Sequence, residues 1–407
     1  MNINVSNSTT PLKQKNDLFS TFTNGILSDF NPIVGKPYNI EKVTLEQVDN
    51  LQISYIFTTG RSASTLLGVM LMMNEQVVFT SEEIFPVILK QKYASVKKWN
   101  EKTIQEYCDD FVLMSEGKLY PLFTGKDVLY QLLIQFKEHL NYERVIRLSY
   151  LSFGVNKDLS KITTIVDKQL RYYLAHHYLN LFPKAKVLLL VRDPRDNVYS
   201  KYKRAERKKI KKDVCLYIQT WKEAFETYFK LLNNSSCPHL IINYENLINN
   251  SKQTMTTISD FLHISFTERY FQYPDIVNDF FSNIQRPKLK EHFLITHKSL
   301  QQPISPQKVN EWKNFWNDKK ISKLINGTWY HTKDIAIKLN YQEHENYKHQ
   351  KLSCFKSYLK VKMASILANL YFNYISFSLR KKIKQKKYPH RINAISAYDK
   401  FLRQGYL

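Results

Sequence analysis

"SYIFTTGRSASTLL", residues 54–67, has an apolar run at each end and a small, hydroxyl-rich centre holding one glycine and one arginine. Upstream, "QISYIFTT" (52–59) is rich in β-branched and aromatic residues and stops at Gly60, the pattern of a buried strand. From Ser64 onward, "STLLGVMLMMN" (64–74) sets apolar residues on a helical period, with Ser62 or Ser64 available as a cap. The spacing predicts a strand, a tight turn and a helix N-terminus. Such a junction aims backbone N–H groups at whatever lies before the helix. Around Gly60, Ser62 and Ala63 the chain is small enough for an anion to approach the backbone. Ser64 and Thr65 add hydroxyl donors, and Arg61 adds a fixed positive charge. The expectation is a phosphate cradle, although G-x-x-x-x-G-K-[ST] is absent. Taken alone, the stretch fits a capped helix with an exposed arginine equally well.

Outward from this junction the same alternation repeats. "TTIVDKQ" (163–169), "AKVLLLVRD" (185–193) and "HLIINYENL" (239–247) read as strands, the second apolar throughout, as in a parallel sheet covered on both faces. Helical patterns follow each: "RYYLAHHYLNLF", "PRDNVYSKYKRAERKK", "CLYIQTWKEAFETYFKLLNN" and "SKQTMTTISDFLHI". Pro194 suits a first helical turn, with Asp193 before it as cap. The expected fold class is α/β: three layers, a mainly parallel central sheet between helices, plus a helical C-terminal extension. The expected organisation is an N-terminal arm at 1–48, a catalytic domain at 49–345 with a helical insertion at about 83–160, and a basic extension at 346–407.

The 407 residues carry a formal net charge of +24, which favours anionic partners without choosing among them. Cys108, Cys215, Cys237 and Cys354 are scattered, with no C-x-x-C and no zinc spacing, so they read as reduced structural thiols. The N-terminus lacks the apolar core of a signal peptide, and the expected location is cytoplasmic, with membrane association an option for the tail.

A second stretch, "LLLVRDPRDNVYS", puts Arg192 at a strand end and Ser200 about two helical turns further on. Both could reach an anion at the sheet's edge; alternatively R-D-P-R-D compensates itself as salt bridges. Taken together, the two stretches resemble the sulfotransferases that use 3′-phosphoadenosine-5′-phosphosulfate (PAPS). The order of further segments matches that family: "FPKAKVLLLVRDPRD", "HLIINYENLINNSKQTMTTISDFLHIS" with Tyr244, and "VNEWK" with Trp312. The layout is similar to the branch containing tyrosylprotein sulfotransferases and their bacterial relatives, over residues 51 to 342. The sequence departs from the family at Ala63, where glycine is frequent; at Gly60 or Thr59, where proline is; at Gln169; and at Glu311, where a lysine often stands.

The resemblance implies a P-loop nucleotide-binding-like fold and a loose, in-line sulfuryl transfer in which positioning and charge stabilisation carry the rate. It implies that Gly60, Arg61, Ser62, Ala63, Ser64 and Thr65 hold the 5′-phosphosulfate. Arg192 and Ser200 would then hold the 3′-phosphate, with Tyr244 near the nucleotide. Lys168 would face the sulfuryl oxygens, and Glu82 or Glu83 would take the proton of an acceptor hydroxyl. No metal is expected. The acceptor would be a small-molecule, lipid, glycan or peptide hydroxyl. His176 and His177 read as surface or packing residues, because neighbours on a helix diverge by about 100°. "KYKRAERKKIKK" (201–212) is a solvated face or an anion-attracting lip, with Arg204 and Arg207 as nucleotide contacts. The tail, 353–387, either packs, forms a homodimer or lies on an acidic membrane surface. Two alternatives stand beside the enzyme: a kinase-like phosphotransferase needing Mg²⁺, and a basic nucleic-acid-binding protein, the latter not expected because no reading helix organises the charge.

Overall fold

The computed structural model describes residues 39–115, 122–154, 157–275, 277–278 and 298–387. Its centre is five strands: β1 (Gln52–Phe57), β2 (Val77–Ser81), β3 (Thr164–Gln169), β4 (Lys186–Val191) and β5 (His239–Asn243). All neighbours pair in parallel, in the order β2-β3-β1-β4-β5. Parallel pairing requires long crossovers, and helices supply them. In chain order they are α1 (Leu45–Asn50), α2 (Ser64–Met72), α3 (Phe85–Tyr93), α4 (Glu101–Met114), α5 (Leu122–Gln135) and α6 (Tyr142–Leu151). Then come α7 (Ala175–Leu181), α8 (Pro194–Arg207), α9 (Val214–Asn233), α10 (Tyr244–Asn249) and α11 (Ser251–Leu262). The C-terminal set is α12 (Lys319–Lys338), α13 (Phe355–Tyr374) and α14 (Phe377–Lys387).

Side chains alternate across a strand, and the core divides accordingly. Tyr55, Phe57, Val187 and Leu189 belong to one buried cluster with α3, α4, α6, α7 and α9. Ile56, Val166, Leu188 and Leu190 belong to a second cluster with α2, α10 and α11. This is the expected three-layer α/β arrangement. On the second face α2 lies very close to the sheet: a Cβ on Gly68 would sit 2.0 Å from the Phe79 ring.

Three sequence expectations are corrected. β2 was not foreseen, because "VVFTS" offers only three apolar residues between two polar segments. The strand expected over 239–247 ends at Asn243, and Tyr244 opens α10. The end of the proposed arm is folded: Val43 and Val48 are buried in the first core cluster, while residues 1–38 lie outside the described residues.

The strand register decides what meets at the sheet's C-terminal edge. Phe57 stands opposite Gln169 on one side and Leu189 on the other, and Ser81 stands opposite Lys168. The loop after β1, the end of β3, the turn after β2 and the turn into α8 therefore share one edge. Ligands of open α/β sheets bind there, where the strand order reverses.

Candidate functional site

The loop after β1 is held in a shape that few side chains adopt. Arg61 (φ 75°) and Ala63 (φ 61°) both lie in the left-handed region, at a cost of about 1–2 kcal/mol each for an L-residue. Tertiary bonds hold it. Thr58 Oγ1 donates to Leu190 O at 2.6 Å, tying the end of β1 to β4. The buried Asn197 amide on α8 donates to Gly60 O at 3.0 Å, Ser62 Oγ at 3.1 Å and Thr59 Oγ1 at 3.3 Å. The predicted serine cap of α2 does not form: the capping residue is Ala63, without a side-chain bond. Its left-handed turn carries Ser64 into the helix, and Ser62 Oγ accepts from Asn197 instead. The first-turn N–H groups of α2 are left without a side-chain cap and available to an anion.

A cluster of cations faces this loop. Arg192 is buried at the end of β4, where it donates to Arg61 O at 3.1 Å and Lys308 O at 2.8 Å. Its guanidinium lies 4.2 Å from the centre of the Tyr244 ring. Arg61 Nε donates to Ser200 Oγ at 3.2 Å. Thus Arg61, Arg192, Ser200 and Tyr244 meet in one place. The R-D-P-R-D segment splits into two arrangements. Arg195 is bound to Asp193 at 2.7 Å and sandwiched between Trp312 and Trp329, while Arg192 reaches Asp196 only at 3.7 Å. Asp193 caps α8 as expected, accepting from Arg195 N. Trp312 N donates to Asp196 Oδ1 at 3.0 Å, so the tryptophan segment braces α8. Glu311 is the ion-pair partner of Lys203.

The charges in this cluster are mutually unfavourable. Burial, then Arg204, Arg192 and Arg207, pushes Arg61 down to about 10. Burial and then Arg61 push Lys201 down to about 7. Lys308 is lowered by burial and by Arg61. Arg192 Nε, Arg204 Nε and Asn197 Oδ1 are buried without hydrogen-bond partners. Cations gathered at this cost suit an anion.

The other side of the loop is acidic. Glu82, itself left-handed at φ 62°, places its carboxylate 3.3 Å from Lys168 Nζ. Its backbone is fixed by Glu82 N donating to Lys168 O at 2.7 Å and Arg171 Nη1 donating to Glu82 O at 2.9 Å. Glu83 points the opposite way: it is 1% exposed and accepts from Ser115 Oγ at 2.6 Å. Gln169 Nε2 bridges Glu83 O (3.0 Å) and the Asp167 carboxylate (2.7 Å), and Tyr178 OH donates to Glu83 O. Asp167, fully buried, is pushed up to about 7 by burial and then by the Glu83 charge. The Glu82 carboxylate thus meets Lys168 at the sheet's edge, while the Glu83 carboxylate is bound by Ser115.

Asn197, Lys308, Ser115 and Asp167 were missed in the sequence. Asn197 could have been found, since it lies inside the R-D-P-R-D-N run. Ser115 and Lys308 come from segments distant in the chain with no local pattern. His176 and His177 pack against each other with ring centres 3.8 Å apart, and His177 lies near Phe372, so both serve packing.

A family model described as the sulfotransferase family matches residues 55–268. No curated protein matches the chain. Among solved structures it is similar to the sulfotransferase domain from the Synechococcus PCC 7002 olefin synthase, at TM-score 0.46 and 18% identity, over 72% of this chain and 97% of that one. The sulfotransferase domain from the curacin biosynthetic pathway aligns at TM-score 0.44 and 19% identity, over 72% and 99%. A sulfotransferase from Mycobacterium avium aligns at TM-score 0.32 and 10% identity, over 70% and 91%. The family model spans more than half of the 407 residues, from within β1 to past α11, and the chain belongs to the sulfotransferase family.

Proposed function

We propose that the chain moves a sulfuryl group from PAPS to the hydroxyl of an acceptor. The observation that carries this reading is the meeting of a strained loop, a cation cluster and a Lys168–Glu82 pair along one sheet edge. A donor with anionic groups at both ends of a nucleoside fits that arrangement. Arg192 and Ser200 would hold the 3′-phosphate, and Arg204 and Arg207 would add field. The backbone of 60–65, with Ser64 and Thr65, would hold the 5′-phosphosulfate at the N-terminus of α2. Tyr244, already under Arg192, would flank the nucleoside.

The donor supplies an activated sulfur bonded to a good leaving group. The acceptor oxygen forms its bond to sulfur as the bond from sulfur to the 5′-phosphate oxygen breaks. The hydroxyl proton passes to the Glu82 carboxylate, and adenosine 3′,5′-bisphosphate leaves. Glu82 is preferred over Glu83 as the base because Glu83 is sealed against Ser115. A positioned base is worth about 10²–10⁴ in rate. Lys168, 3.3 Å from the Glu82 carboxylate, would turn its ammonium toward the sulfuryl oxygens, where charge builds in the transition state. Arg61 and the helix N-terminus would take the charge developing on the leaving phosphate.

The test is a melting curve with adenosine 3′,5′-bisphosphate in the presence of a chelator. A strong rise in Tm without Mg²⁺, absent for Mg-ATP, supports the reading. Stabilisation by Mg-ATP alone would replace it with a phosphotransferase, and steeply salt-dependent DNA binding without a nucleotide response would replace it with a nucleic-acid-binding protein.

A further inference from the structure

Helix α13 covers the protein with one face and leaves an apolar stripe on the other. Its inner side is partly polar: Ser357 and Val361 are buried, Lys362 pairs with Glu223 at 2.7 Å, and Ser365 Oγ meets Tyr172 OH at 3.0 Å. The outer side carries Phe355, Leu359, Met363, Ile366, Leu370 and Tyr374, between 45% and 77% exposed. At 100° per residue these six fall within an arc of about 100°, with Lys356 and Asn373 at its margins, and they run the full length of the helix. A helix of 20 residues is about 30 Å long, so the stripe is long enough to lie along a surface. An apolar face of this extent marks an interaction site.

The charge around the stripe indicates what it meets. Residues 351–387 hold ten lysines and arginines and no aspartate or glutamate. Lys356 and Lys360 are exposed at one end of α13, and Lys382, Lys386 and Lys387 are exposed on α14 beyond the other. A second copy of the chain laid antiparallel on the stripe would set lysines of one helix against lysines of its partner. An anionic bilayer matches both features, apolar stripe into the acyl boundary and lysines at the headgroups. Among the described residues no helix is long and apolar enough to cross a membrane, so the helix would lie in the interface.

We propose that α13 and α14 form a docking surface for anionic lipid membranes. The proposal does not depend on the donor or the acceptor assigned above. It also has a spatial consequence. α13 passes over the Tyr172–Leu174 turn, which follows β3 and its Lys168, and α14 packs on α3 and α4 through the Lys381–Asp110 pair at 2.7 Å. The helices thus flank the Lys168–Glu82 side of the site, and docking would bring that side toward the bilayer.

The experiment is flotation of the full chain with vesicles of phosphatidylcholine alone and of phosphatidylcholine mixed with phosphatidylglycerol, at low and high salt. The expected result is binding to the mixed vesicles only, weakened by salt. Binding should fall at least tenfold in an Ile366→Glu/Leu370→Glu variant and in a Lys382→Glu/Lys386→Glu/Lys387→Glu variant. Circular dichroism and the melting curve establish that each variant is folded. No binding to anionic vesicles, or binding undiminished in the stripe variant, overturns the proposal. A dimer in light scattering that the stripe variant converts to monomer, without vesicle binding, gives the stripe to a second copy and also overturns it.

Discussion

Replacing Arg192 by alanine separates structural from binding roles at the cation cluster. The side chain is 5% exposed and gives two hydrogen bonds to carbonyl oxygens, on Arg61 and Lys308. Removing it leaves both acceptors short of a donor, at about 1 kcal/mol or somewhat more each, so a loss of roughly 2–3 kcal/mol of stability is expected. Asp196 adds a pH signature. Its carboxyl is already pushed up to about 7 by burial, against the pull of Arg192. Without that pull it rises further. A carboxyl raised in the folded state contributes stability that is complete below its unfolded value of about 3.9 and is lost as pH rises through the folded value. The deficit of Arg192→Ala should therefore be larger at pH 8 than at pH 5, by roughly 1.4 kcal/mol per unit of additional shift. An Asp196→Asn change in the same background should flatten the difference. Binding follows a separate line: losing a charge-assisted contact to a phosphate costs about 1.5–3 kcal/mol, or roughly 10- to 150-fold in Kd for adenosine 3′,5′-bisphosphate. Denaturant melts at the two pH values and calorimetric titration at pH 7 measure the two effects. An unchanged Kd in Arg192→Ala would refute the proposed anion contact. A deficit independent of pH would refute the account of Asp196.

Glu82→Gln should keep nucleotide affinity within about twofold while lowering turnover by about 10²–10⁴; Glu83→Gln, whose parent packs on Ser115, should act on Tm far more than on turnover. Equal losses of turnover in both would undo the choice of base. Ala63→Gly should raise stability by about 0.5–1 kcal/mol, since glycine relieves the left-handed cost at φ 61° but gives back unfolded-state entropy; a loss of stability in urea melts would show that the loop is not strained there. Asp167→Asn should gain on the parent as pH rises from about 4 to about 7, by up to about 1.4 kcal/mol per pH unit, and the gain should level off above about pH 7, because the unfolded carboxyl ionises from about 3.9 while the folded one is raised to about 7; melting curves between about pH 5 and 8 check the sign.

How far the site was legible in the sequence depends on the range of the interactions that build it. Junctions made by one segment read clearly. β1 into α2 and β4 into α8 carry both halves of their pattern within about a dozen residues, so Arg61, Arg192 and Ser200 could be named and were expected to share an edge. What periodicity does not encode is the partner supplied from elsewhere. Glu82 and Glu83 are neighbours with the same side chain, and no local rule separates them. They are separated by Lys168, reached through the pairing of β2 with β3, and by Ser115, at the end of α4. β2 itself was hidden because a buried parallel strand of five residues needs no alternation to be stable. The loop illustrates the converse. Ala63 stands where glycine is frequent in the family, and it holds a left-handed φ that its own chemistry disfavours. That conformation is imposed by Asn197 and Thr58, whose bonds run to Gly60, Ser62 and Leu190. The outer face of α13 marks a further limit: apolar residues are distributed all round the helix, among polar ones, and only the fold tells which side the protein keeps for itself.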